Sequence, residues 1–364
     1  MRGTRNFAAA GAAMLVGMLG ACSQASMMGG SAQPAPDADA AMAMPPATPD
    51  PQMQAVLDQL AALHPKPIET LTASEARMQP TPADAVKALL QKMGRSTAPM
   101  PVGSVQDRTI PGAAGPIPVR VYKPAGSGPM PVIVYYHGGG WVIATLDTYD
   151  ASARALANGA HAIVVSVEYR KGPEHRFPAA HDDALAAYRW VVANAGAMGG
   201  DARRIALVGE SAGGGLAVAT AMQARDRHLA MPVHVLAVYP IADGDTQSPS
   251  YVENAAAKPL NRPMMAWFFR NYLRTPADAR DPRISLTRAN LRGLPPTTII
   301  TAQIDPLRSD GMELAAALRT AGVRVDAMNY DGVTHEFFGM GAVVDKAKQA
   351  EDYASAALRR AFGM

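Results

Sequence analysis

The stretch Leu207-Val208-Gly209-Glu210-Ser211-Ala212-Gly213-Gly214-Gly215 restricts what this chain can become more than any other. The apolar run Ile205-Ala206-Leu207-Val208 reads as a buried strand, and an alanine-rich helical segment follows the glycines. Between them lies G-x-S-x-G, a pattern that gains meaning from its strand–turn–helix context. So tight a turn forces the serine into an unfavourable backbone conformation, and residues without a Cβ must flank it. The turn holds the hydroxyl clear of the sheet, and the new helix aims its N-terminal amides at negative charge forming there. A Gly/Ser-rich turn without chemistry fits the short motif equally well, so the rest of the chain must decide.

Further apolar runs at 116–122, 131–136, 162–167, 233–238, 297–302 and 323–328 read as strands. Helical patterns lie between and after them, at 180–194, behind Ser211 and at 346–362. Continuous apolar strands separated by helices argue for a mostly parallel central sheet with helices on both faces. Active sites in such sheets lie outside the carboxyl ends of the strands, so catalytic residues should come from strand-to-helix loops. A chain of 364 residues suits one large decorated domain or two small ones. Its net charge of +3, without a block of like charge, gives no reason to expect a nucleic-acid partner. One cysteine excludes an internal disulfide and zinc sites of the CxxC kind.

That cysteine sits at a telling place. Arg2 and Arg5 precede an apolar stretch at 7–20, too short for an ordinary membrane span but suited to a signal peptide over residues 1–21. The stretch runs into Leu19-Gly20-Ala21-Cys22, which resembles a bacterial lipobox. This resemblance implies cleavage before Cys22 and a lipid on its sulfur; an ordinary secretory peptide cut a few residues later is the alternative. Ser23 beside the cysteine, rather than aspartate, leans toward the outer membrane by resemblance to bacterial sorting patterns. Residues 22–51 read as a flexible tether of Ala, Met, Pro, Asp and Gln, leaving the globular part at a membrane surface. Amphipathic helices are expected at 53–63 and 81–90, the second with Thr81 as N-cap and Pro82 at its first position.

Directly after the run 131–136 comes His137-Gly138-Gly139-Gly140-Trp141. Three glycines cost backbone entropy, so they belong where amides approach something closely. A serine attacking a carbonyl needs N–H donors where the oxyanion forms. Ala212, behind the serine, supplies one such donor, and Gly138 and Gly139 are the expected others. The general base must come from eight histidines. Among them His335 lies in a loop after a late strand, in Gly332-Val333-Thr334-His335-Glu336-Phe337-Phe338-Gly339. Gly339 stands where a zinc-binding H-E-x-x-H helix has its second histidine, so this is not such a motif. The orienting acid should fall between Ser211 and His335. Asp305 follows the strand 297–302; Asp243 and Asp245 are runners-up, and Asp310 and Asp331 read as capping or turn residues.

Taken together these pieces resemble the hormone-sensitive-lipase-like family of α/β-hydrolases, the bacterial family IV esterases. The matching segments are His137-Gly138-Gly139-Gly140-Trp141, Glu168-Tyr169-Arg170, Pro173-Glu174-His175, Phe177-Pro178-Ala179-Ala180, Gly209-Glu210-Ser211-Ala212-Gly213-Gly214, Asp305-Pro306-Leu307-Arg308 and His335. The resemblance implies an α/β-hydrolase fold with a small helical cap, built from residues 52–100 and an insertion at about 243–290 in a catalytic domain of 101–364. It implies Ser211, Asp305 and His335 as a triad and the glycine loop as oxyanion hole. It also implies hydrolysis of short- to medium-chain acyl esters through an acyl-enzyme, with no metal or cofactor. An amidase, peptidase or sugar deacetylase on the same fold is the nearest alternative, and a non-catalytic binding homologue a more distant one. Five residues depart from the family pattern: Glu210, Lys171, Gly172, Asp310 and Glu336. Glu336, beside the expected base, is either a solvated loop carboxylate or part of a substrate pocket.

Overall fold

All seven residues of the run Met130–Tyr136 are buried, and successive side chains enter different cores. Val132, Val134 and Tyr136 join one apolar cluster, whereas Ile133 and Tyr135 join another on the opposite face. A strand's period of two, covered on both sides, is what makes this stretch continuously apolar. The computed structural model describes residues 47–364. The expected signal peptide, Cys22 and most of the expected tether lie outside the described residues.

In chain order, helices α1 (Pro51–Ala62), α2 (Ala73–Ala76) and α3 (Pro82–Lys92) precede strands β1 (Ser104–Gly112), β2 (Gly115–Lys123) and β3 (Met130–Tyr136). Then come α4 (Asp150–Ala160), β4 (Ile163–Val167), α5 (Ala179–Asn194), β5 (Gly200–Glu210), α6 (Ala212–Asp226) and β6 (His234–Val238). Two helices follow, α7 (Pro249–Glu253) and α8 (Arg262–Tyr272). The chain closes with β7 (Thr297–Ile304), α9 (Arg308–Thr320), β8 (Val325–Thr334) and α10 (Asp345–Ala361). The sheet order is β1-β2-β4-β3-β5-β6-β7-β8. Pairing is parallel from β4 through β8, and antiparallel only where β2 meets β1 and β4. This is an α/β-hydrolase architecture, with helices on both faces of the sheet.

Local chemistry starts the helices where expected. Thr81 accepts from the backbone N–H of Asp84 at 3.2 Å, and Asp84 reaches back to the N–H of Thr81, a reciprocal capping box behind Pro82. Strand β1 has no counterpart among the apolar runs. Ile110 is its one buried residue, because β1 is an edge strand held by its ladder to β2. Strand β8 runs six residues past its apolar stretch and ends at Thr334, so His335 emerges directly from a strand end. Among the described residues no helix is long and apolar enough to cross a membrane.

Candidate active site

Ser211 occupies the one-residue joint between β5 and α6, with φ 55° and ψ −119°. A side chain rarely tolerates that backbone conformation, and the neighbours show what enforces it. A Cβ on Gly209 would lie 2.1 Å from the carbonyl oxygen of Gly213, and one on Gly213 would lie 1.9 Å from that of Tyr136. The strand, the helix start and β3 touch backbone to backbone, leaving the serine no relaxed alternative. Its own N–H donates to the Val238 carbonyl at 2.9 Å, which ties the elbow to β6.

Strands β5, β7 and β8 bring three expected residues together at their carboxyl ends. His335 Nε2 lies 3.0 Å from Ser211 Oγ, and Nδ1 lies 2.7 Å from Asp305 Oδ2. The second oxygen of Asp305 accepts from the Leu307 N–H at 2.8 Å, which fixes the carboxylate plane. Asp305 is fully buried and His335 nearly so. Burial alone pulls the imidazole pKa down. The charge and hydrogen bond of Asp305, then the charges of Glu336 and Glu210, outweigh it and hold His335 above its ordinary value. The other candidate acids are engaged elsewhere. Asp243 accepts from Ser285 and Thr287, Asp331 from Asn329, and Asp310 from the N–H groups of Ala242 and Asp243.

The glycine loop is split in its allegiance. Gly139 and Gly140 line the cavity that holds Ser211 and His335, whereas Gly138 does not. The Gly138 carbonyl instead faces His137 Nδ1 at 2.8 Å, and the Tyr169 hydroxyl, which donates to the His137 carbonyl at 2.7 Å, lies 3.1 Å from it. Ala212 opens α6 directly behind the serine.

A model of the α/β-hydrolase fold matches residues 133–339, more than half of the chain. The chain belongs to this family. The hydrolase is 40% identical over 292 residues to the carboxylesterase NlhH of Mycobacterium tuberculosis, covering 78% of this chain and 91% of the relative. It is 37% identical over 288 residues to an ethyl acetate hydrolase of Pseudomonas putida, covering 78% and 88%. A solved esterase of Pyrobaculum calidifontis superposes with a TM-score of 0.78 at 39% identity, over 86% of this chain and 98% of that one. These likenesses make the chain a carboxylesterase-type hydrolase.

The hydrolase's cavity has a volume of about 330 Å³. Its far walls come from the segment 65–82 and from α8 with the turn before it, where Ile68, Leu260, Met264, Met265 and Phe268 supply apolar surface. Arg77 anchors the N-terminal wall: it donates to the carbonyls of Val142 and Gly172 and pairs both ways with Glu174. Two carboxylates near the hydrolase's triad, Glu210 and Glu336, are departures from the family pattern already marked in the sequence. Burial pushes Glu210 up to about 8, although the hydroxyls of Tyr135 and Tyr239 both donate to it. Tyr149 donates to Glu336, and the Tyr239 ring packs 4.5 Å from the His335 ring. The residue types at 135, 149 and 239 carry no sign of this role in sequence, since buried tyrosines on strands and helix starts usually just fill a core.

Proposed function

We propose that this hydrolase cleaves short- to medium-chain carboxylic esters through a Ser211–His335–Asp305 triad and a covalent acyl-enzyme. The observation that carries the reading is the unbroken chain Ser211 Oγ–His335 Nε2 at 3.0 Å and His335 Nδ1–Asp305 Oδ2 at 2.7 Å, opening on an apolar cavity. His335 takes the Ser211 proton as Oγ attacks the ester carbonyl, and Asp305 stabilises the imidazolium. The amides of Gly139, Gly140 and Ala212 receive the oxyanion. Gly140 takes the place expected of Gly138 because its residue reaches the cavity. Each such donor is worth about 3 kcal/mol of barrier where one has been removed in a comparable site. The imidazolium then protonates the leaving alcohol, and water repeats the cycle on the acyl group.

A cavity at the small end of the ligand-pocket range, about 300–1,000 Å³, favours short acyl groups. Turnover of p-nitrophenyl acetate, butyrate and decanoate tests this. The first two should be cleaved well and decanoate at least about tenfold less efficiently, since a clash in a packed pocket exceeds 1.4 kcal/mol. Equal kcat/KM across the series would reject the chain-length reading; no turnover of any would reject the esterase.

The base must be neutral to act, so kcat/KM should rise with pH through the pKa of His335. Asp305 and Glu336 both face it, and among the described residues no lysine or arginine pairs with either, so the acid limb is expected above 6.5, the ordinary imidazole value. A profile of kcat/KM from pH 5 to 9 checks this, and a limb below that value would mean burial outweighs the carboxylates.

We further read residues 1–21 as a signal peptide and Cys22 as lipid-modified, tethering the hydrolase to a bacterial membrane surface. The support is the sequence pattern of two arginines, an apolar stretch and Leu19-Gly20-Ala21-Cys22. Mass spectrometry of the mature protein from a bacterium that processes lipoproteins should find diacylglyceryl on Cys22. A mature chain that begins beyond Cys22 would refute it.

A further inference from the structure

Glu336 does not behave as a solvated loop carboxylate. Its backbone sits at φ 68°, in the left-handed region that residues with a Cβ rarely occupy. Its side chain faces the ester cavity. Tyr149 Oη lies 2.7 Å and 2.8 Å from the two carboxylate oxygens and shares its one hydrogen between them, which fixes their plane. Glu336 Oε1 lies 3.8 Å from Nε2 of His335, the nitrogen that meets Ser211, not the one that meets Asp305. Among the described residues no lysine or arginine pairs with it.

That nitrogen serves two half-reactions with different needs. In acylation it takes the hydrogen of Ser211 Oγ and delivers it to the leaving alcohol, whose oxygen carries none of its own. In deacylation the nucleophile is water. One O–H gives its proton to Nε2 as the oxygen bonds to the acyl carbon, and the C–Oγ bond then breaks as the imidazolium returns that proton to Ser211. The second O–H stays with the carboxylic acid product, and throughout the attack it needs an acceptor. Two acceptors 3.8 Å apart share a point within ordinary hydrogen-bond length, about 2.7–3.0 Å, of each. One water oxygen at that point reaches both.

We propose that Glu336 is the acceptor that orients the hydrolytic water, which makes it a catalytic residue of deacylation. In acylation it acts only through the charge it adds beside His335. This rests on the esterase reading above. It also accounts for the strained backbone, because the left-handed turn is what swings the carboxylate back toward Nε2. Glu336 only accepts a hydrogen bond in this step, so no further proton acceptor is involved.

Rapid mixing of Glu336→Gly with p-nitrophenyl acetate tests the proposal; glycine suits the positive φ and removes only the side chain. Acylation should stay within about threefold of the parent, while deacylation slows by ~10- to 100-fold, as for other misplaced reacting groups. The trace then shows a stoichiometric p-nitrophenol burst. With methanol present, the product should shift from acetate toward methyl acetate, because methanol has no second O–H to lose an acceptor. Glu336→Gln, which retains an accepting oxygen, should recover most of the deacylation rate. Tyr149→Phe, which frees the carboxylate without removing it, should show the same burst in weaker form. Equal losses in both half-reactions, or a glutamine variant no better than glycine, would overturn the proposal. Failure of the esterase reading looks different: the unaltered protein releases no p-nitrophenol, or Ser211→Ala still releases it.

Discussion

Ser211→Ala is expected to lower kcat on p-nitrophenyl butyrate by about 10⁴- to 10⁶-fold, the range seen when a triad nucleophile is removed. The same variant should unfold at nearly the parent temperature. Alanine keeps the Cβ that the φ of 55° already accommodates, and the one lost hydrogen bond is the 3.0 Å contact to His335. Separating the two effects matters, because a nucleophile contributes to the barrier and a structural serine would contribute to stability. Asp305→Asn should cost about 10⁴-fold by a different route. An amide at 2.7 Å from Nδ1 can present its N–H to the ring, turning the imidazole to the tautomer that has no lone pair for Ser211. Combining the two changes should cost hardly more than Ser211→Ala alone, since the groups act as one unit. Measured kcat for the single and double variants, beside their melting curves, checks all three statements. A Ser211→Ala protein that retains more than a hundredth of the parent rate would place the nucleophile elsewhere.

The parts of the site legible in sequence share a physical cause. Strand β3 is apolar throughout because both its faces are covered, and the flanks of Ser211 are glycine because backbone atoms lie within 2.1 Å of where their Cβ atoms would be. His335 could be chosen by its position after a late strand, since strand ends in such sheets converge on one edge. What stayed hidden depends on neighbours far apart in the chain. Glu210 looks like a family variation until Tyr135 and Tyr239 are seen to close over it from β3 and from the end of β6. Glu336 reads as either a solvated loop carboxylate or a pocket residue until Tyr149, 187 residues away, is seen against both its oxygens. Within the glycine loop three identical residues carry no pattern, so that Gly139 and Gly140 line the cavity and Gly138 does not is visible only in the structure. Strand β1 was hidden for the opposite reason, having almost nothing buried to pattern.

Gly213→Ala is expected to fail in folding before it fails in catalysis. The added methyl carbon would sit 1.9 Å from the Tyr136 carbonyl oxygen and 2.5 Å from that of His137. Both are backbone atoms, so no rotamer change relieves the clash. Nor can β3 withdraw, because it is paired on one side to β4 and on the other to β5, the strand that carries the elbow. The helix start must move away instead, and Ser211 and the Ala212 amide move with it. Overpacking without an escape route costs about 3 kcal/mol or more, enough to remove a large part of a typical domain's stability. The expected result is little soluble protein, or a melting temperature lowered by several degrees. Gly196→Ala is the matched control, since nothing lies within 4 Å of its Cβ position and its φ is not positive; it should be neutral or slightly stabilising. A Gly213→Ala protein that melts with the parent would mean that β3 and α6 can part by about the 1 Å needed to restore a normal contact. The oxyanion donors on the two elements would then not be held at a fixed spacing, and the rate assigned to them could not come from preorganised amides.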